Sequence, residues 1–212
     1  MKTTSPHQDP LNPYIALADV YMNLCVAFIV FTLIFIAVGN RGWESVRYRE
    51  EQRRFQAAVD ADPVLSRLAR LEPRNDAPGE QRWTFPGSAL FREGSHLLSW
   101  DGRRVLYQFA DLLKHNRELW WRIRVEAHTR QFVARRGVDR EHAAFAHTAA
   151  RAVTVALYLA RGAEIEPWRI VASGRGYQDL YIKEDPYSSQ NDRVDILLIP
   201  KSVSAQNQGP DG

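Results

Sequence analysis

Cysteine is nearly missing from this chain. Cys25 is the only one, so one chain can build neither a disulfide framework nor a thiolate metal site. An excess of charge of one sign is missing too: 28 Lys and Arg stand against 25 Asp and Glu. The resulting net charge of +3 is too slight to call for a nucleic-acid partner. There is no phosphate-cradling glycine loop, nucleophile elbow or zinc-hydrolase motif, so no enzyme and no cofactor are expected. His128, His142 and His147 stand in no cysteine or Glu-x-x-His pattern, and no metal site is expected from them. A cleavable secretory signal is also lacking. The apolar run near the start is too long for one and has neither a basic lead nor a small-residue cleavage site.

That run is what the chain does have. Ala16 to Val38 contains one residue of the Asp, Glu, Lys, Arg and His set, Asp19, and is long enough to cross a bilayer as a helix with every backbone amide satisfied internally. It reads as an uncleaved anchor. A carboxylate inside such a span costs about 2.5–3.5 kcal/mol on insertion and usually faces a protein interior or an ion path. Asp19 is therefore a candidate ion carrier, the plainer alternative being an acid at the headgroup level. Asn23 follows one turn later on the same face and can hydrogen-bond a partner.

The organisation expected around the span is a tail (1–13), the transmembrane helix (14–39), a juxtamembrane helix and linker (40–84), a folded domain (85–200) and a disordered tail (201–212). Arg41, Arg47, Arg49, Arg53 and Arg54 follow the span, against Lys2 alone before it. Taken by themselves they keep the C-terminal part in the cytoplasm. The next segment reads as a helix to Asp62-Pro63, with a thin apolar stripe of Trp43, Val46, Phe55 and Val59. It is a spacer or, by position, a channel plug. Glu72 to Gly79 is turn-rich and reads as linker.

Beyond it, Asp101 is placed to cap a helix whose apolar positions are Val105, Leu106, Phe109, Leu112 and Leu113. Trp121 to Ala127 alternates as a half-buried strand. A second helix, 139–161, carries Phe145, Ala149, Val153, Ala156 and Leu157 and stops at Gly162. Strands at Trp168–Ala172 and Val194–Ile199 complete an α+β sandwich of two helices on one sheet.

Two resemblances bear on function. Leu17-Ala18-Asp19-Val20, then Met22 and Ala27-Phe28, resembles the start of MotB-type flagellar stator subunits, in which an aspartate opening the only transmembrane helix carries the proton. Residues 85–200 resemble the OmpA-like peptidoglycan-binding domain, a βαβαββ fold, in five ordered motifs: Phe91-Arg-Glu-Gly-Ser95, at the place of its opening strand and turn, Val125-Glu-Ala-His-Thr129, His147-Thr-Ala-Ala-Arg-Ala152, Gly174-Arg-Gly176 and Asn191-Asp-Arg-Val-Asp-Ile196. The resemblance implies a ligand in the diaminopimelate stem of peptidoglycan, with Arg151 and Arg193 at the family's two arginine positions and Thr129 in its histidine-threonine motif. Where the family has an acid after that threonine, this chain has Arg130, leaving the ligand's ammonium to Asp139 or another loop acid.

The combination is similar to a stator B subunit. Its expected partners are five copies of an A-type multi-pass subunit, a second copy of itself, and the cell wall. Its domain is expected in the periplasm, against the arginine count. The short spacer, the Asn12-Pro13-Tyr14 lead and His128-Thr129-Arg130 are most similar to the ZorB branch, the membrane subunit of Zorya anti-phage defence.

Overall fold

The computed structural model describes residues 13–72, 79–132 and 139–200. Residues 1–12 of the expected tail 1–13, the whole of the tail expected at 201–212 and the heart of the turn-rich linker lie outside them. The chain divides into two compact units, residues 1–46 and 47–212.

Helix α1 is Pro13–Ala61. Gly39 and Gly42 lie within it; a helical glycine costs about 1 kcal/mol but keeps its N–H. Only Asp62-Pro63 ends it. In the first unit, Leu17–Ile36 are 20 residues long and apolar enough to cross a membrane, with none of that window buried. This chain thus has one N-terminal helix fit for a single span. Asp19 and Asn23 are exposed on it. A second helix passes the same length and composition test, but its buried side chains pack on the sheet described next.

The second unit is an α+β domain, as expected. Its sheet holds five strands, β1 (Arg70–Glu72), β2 (Gln81–Pro86), β3 (Arg122–His128), β4 (Ile170–Gly174) and β5 (Arg193–Ile199), ordered β1-β2-β5-β3-β4. Only β3 and β4 are parallel, because a helical crossover joins them. The helices are α2 (Leu65–Leu68), α3 (Gly87–Leu90), α4 (Trp100–His115) and α5 (Arg140–Gly162). On β5 the side chains alternate: Val194, Ile196 and Leu198 join the apolar core, and Arg193 and Asp195 point the other way.

Four local expectations are corrected. The opening strand is β2, not the Phe91 segment, where Phe91 and Leu98 form an isolated bridge after the short helix α3. β2 was hard to see because it is buried along almost its whole length, with Gln81, Arg82 and Thr84 among the buried residues, so it lacks apolar–polar alternation. The cap of α4 is Ser99, whose Oγ accepts from the Gly102 N–H at 2.8 Å; Asp101 sits in the first turn. The buried stripe of α5 is Ala144, Thr148, Arg151, Ala152, Val155, Ala156 and Leu159, and Val153 and Leu157 are exposed. Finally, the end of α1 is part of the core. Phe55 and Val59 are fully buried, and the Phe55 ring meets Trp83 and Phe109 edge-on at 5.4 and 5.9 Å.

Candidate wall-binding groove

Arg151 is positioned by its place on the inner side of α5, where most of its length is covered. It is 7% exposed, its guanidinium lies 4.7 Å over the Phe91 ring, and its Nε donates to the Ser95 carbonyl at 3.0 Å. Among the described residues the two terminal amino groups make no hydrogen bond, and they line a groove of about 330 Å³. Phe91, Arg92, Glu93, Arg130 and Asp192 line it too. Burial pulls the Arg151 pKa below the usual guanidinium value and Asp192 partly restores it. A guanidinium remains charged under any such shift at neutral pH.

The backbone around the groove is set by close packing. Gly174, ending β4, runs against α5 so tightly that a Cβ there would meet the Ala149 backbone nitrogen at 2.5 Å. Two residues on, Gly176 takes φ +57° and its N–H donates to Thr148 Oγ1 at 3.0 Å, while its carbonyl receives the Thr129 N–H. Thr148 is thus a buried polar residue on α5 with a structural task. Asn191 has another: its side chain accepts from the Ile182 N–H and donates to the Ile182 and Asp185 carbonyls, pinning the loop before β5.

That pinning sets Asp192 at the groove. Its Oδ1 accepts from Thr129 Oγ1 at 2.8 Å and from the Arg130 N–H at 3.0 Å, and its Oδ2 faces Arg130 Nε at 3.4 Å. His147, half-buried nearby, has its pKa lowered by burial and by the Arg151 charge, against the pull of Asp192. It is neutral at pH 7.

Of the expected site residues, Arg151 lies in the groove and Thr129 supports its wall through Asp192. Arg193 and Asp139 are elsewhere. Asp139 caps α5, accepting the Glu141 and His142 N–H groups at 3.0 and 3.2 Å. Arg193 is 2% exposed, with Nε 3.3 Å from Asp195 and its amino groups on the Asp179 carbonyl and carboxylate. It belongs to a buried ionic cluster. Asp195 there accepts Thr84 Oγ1 at 2.8 Å and Arg82 Nη1 at 3.0 Å, with His128 Nε2 at 3.3 Å. Burial raises the Asp195 pKa, but the His128 imidazole beside it, the Arg193 charge and the Thr84 hydroxyl outweigh it and hold the carboxyl far below the usual carboxylate range. Glu126, His128 and Asp195 offer ligand atoms within 4.8 Å of one another. Both carboxylates already hold Arg82, at 3.1 and 3.0 Å, which gives the cluster the chemistry of an ion-pair network.

Residues 90–193 match the OmpA family. The folded domain is OmpA-like. Its fold is similar to that of a putative MotB-like protein from Desulfovibrio vulgaris (23% identity, TM-score 0.60, covering 74% of this chain and 93% of that one). It is also similar to the cell wall anchor of the type VI secretion system from Pseudomonas aeruginosa (21%, 0.53, 68% and 96%). A third similar structure is the periplasmic domain of Helicobacter pylori MotB (18%, 0.52, 63% and 80%). No curated protein matches the chain in sequence. Asp192 is a groove-lining acid of the OmpA-like domain that the sequence reading did not single out. Its signal was its place in the Asn191-Asp192-Arg193 motif, one residue before the arginine taken to be functional.

Proposed function

We propose that the chain is the wall-anchored B subunit of an ion-driven motor of the inner membrane. Its single span carries Asp19 as the proton-binding group, with Asn23 beside it, and the OmpA-like domain holds the complex to peptidoglycan from the periplasm. The observation that carries this is a pairing on one chain: a candidate span holding one acid, and an OmpA-like fold with a guanidinium offered to an open groove. One charge crossing about 100 mV supplies about 2.3 kcal/mol, enough to step a bistable contact with a ring of partner helices. In this account two copies stand inside five A-type multi-pass subunits. The protein is not an enzyme and takes no cofactor or nucleic acid. Its finer assignment is to a ZorB-like defence motor, with a flagellar MotB-like subunit as the alternative.

A second account is favoured by the likeness to a cell wall anchor: a structural tether in which Asp19 does nothing. Purifying the full chain in mild detergent, with its neighbouring genes expressed, separates the two. Recovery of a multi-pass partner at five copies to two supports the motor. Recovery of the chain without such a partner, still binding sacculi, contradicts it and leaves the tether.

A further inference from the structure

This inference rests on the wall-binding account and concerns which group completes it. A stem-peptide ligand carries carboxylates and an ammonium, so recognition needs a cation and an acid facing one groove. Arg151 is the cation. The acid expected after the histidine-threonine motif is replaced by Arg130, and Asp139 is used up as a helix cap. We propose that Asp192 is the acid that receives the ligand's ammonium, so that the groove selects a zwitterionic amino-acid group with a free amine.

Three observations carry it. Asp192 lines the same groove as Arg151, and its charge is felt there: it opposes the fall in pKa of both Arg151 and His147. Its Oδ1 is fixed by two donors, Thr129 Oγ1 and the Arg130 N–H, which aims the carboxylate without ordering by the ligand. Among the described residues its Oδ2 faces only Arg130 Nε, at a long 3.4 Å, and that side chain is half-exposed. A carboxylate accepts about four hydrogen bonds, so Oδ2 has room for an ammonium. Glu93 also lines the groove but is exposed and makes no comparable contacts among the described residues. With Arg130 displaced toward solvent, it can take a second ligand carboxylate. A stem amine consumed in a wall cross-link is an uncharged amide, so this chemistry favours un-cross-linked stems.

The test is a cycle between protein and ligand, using the full chain in detergent and two probes: a diaminopimelate muropeptide with its side-chain amine free, and the same molecule N-acetylated. The wild type should prefer the free amine by more than about tenfold, since a charge-assisted hydrogen bond is lost on acetylation. Asp192→Asn, which keeps the Oδ1 acceptor and so its two supporting contacts, should bind both probes with equal, weak affinity. Asp192→Glu should recover part of the preference. An unchanged preference in Asp192→Asn overturns the assignment, as does a wild type that ignores acetylation. A wild type that binds sacculi and neither probe overturns this inference alone; one that binds neither sacculi nor probes overturns the wall-binding account with it.

Discussion

Thr129 Oγ1 donates to Asp192 Oδ1 at 2.8 Å, tying the end of β3 to the residue that precedes β5. The threonine of the histidine-threonine motif is 7% exposed and so acts on the groove through the acid it holds. The same motif's histidine faces the buried cluster around Asp195. One motif therefore serves two networks, one on the groove and one beneath the sheet.

Arg151 should be needed for wall binding through its geometry as well as its charge. Arg151→Ala should weaken retention on purified sacculi by more than tenfold, from the loss of about 1.5–3 kcal/mol for a charged, bidentate pair. Arg151→Lys keeps the charge and loses the fork, and should also bind weakly. Wild-type retention in Arg151→Lys, measured by co-sedimentation, would show that only charge matters there.

The end of α1 should behave as core. Phe55→Ala removes a fully buried ring packed on Trp83 and Phe109 and should destabilise the domain by about 3–5 kcal/mol. Chemical denaturation of the full chain followed by tryptophan fluorescence checks this. A change below about 0.5 kcal/mol, the level of an ordinary surface substitution, would mean that this turn is a spacer after all.

Asp195 should give the domain an acid-sensitive stability. Its folded-state pKa is depressed, so its contribution is fully present above the ordinary carboxylate value, about pH 4, and is lost as pH falls below that. Asp195→Asn should destabilise by about 3 kcal/mol at pH 7, because Arg82 and Arg193 lose their buried counter-charge. Denaturant midpoints should then be less dependent on pH between about 4 and 2 in the variant than in the wild type. Parallel pH curves for the two proteins would contradict this role.

Much of this was legible in the sequence, and the misses have two causes. The span, α4 and β3 follow simple periods, so they were found. β2 and the inner side of α5 escaped because polar residues are buried in them: Arg82 and Thr84 pair with Asp195, Thr148 holds Gly176, and Arg151 stacks on Phe91. A pattern that equates polar with exposed shifts such a stripe, as it did toward Val153 and Leu157. Phe55 and Val59 were seen as apolar, but Trp83 and Phe109, which meet the Phe55 ring, are distant in sequence, and no local pattern announces them. The groove was half legible. Its arginine came from a motif, while Asp192 needed the fold to bring Thr129 and Arg130 beside it.

Topology should follow the wall. A reporter active only outside the cytoplasm, fused after Pro200, should be on. An inactive fusion that is stably expressed would mean that Arg41, Arg47, Arg49, Arg53 and Arg54 set the orientation, and the domain could not reach peptidoglycan.

The most direct test of the motor account is Asp19→Asn, assayed as phage protection and, in flagellated cells, motility, beside proton flux through the purified complex. An amide has nearly the shape of the acid but cannot bind and release a proton. The account predicts normal membrane levels, normal assembly with the A-type partner and normal wall retention, with flux and biological output abolished. Full output and unchanged flux in Asp19→Asn would contradict it.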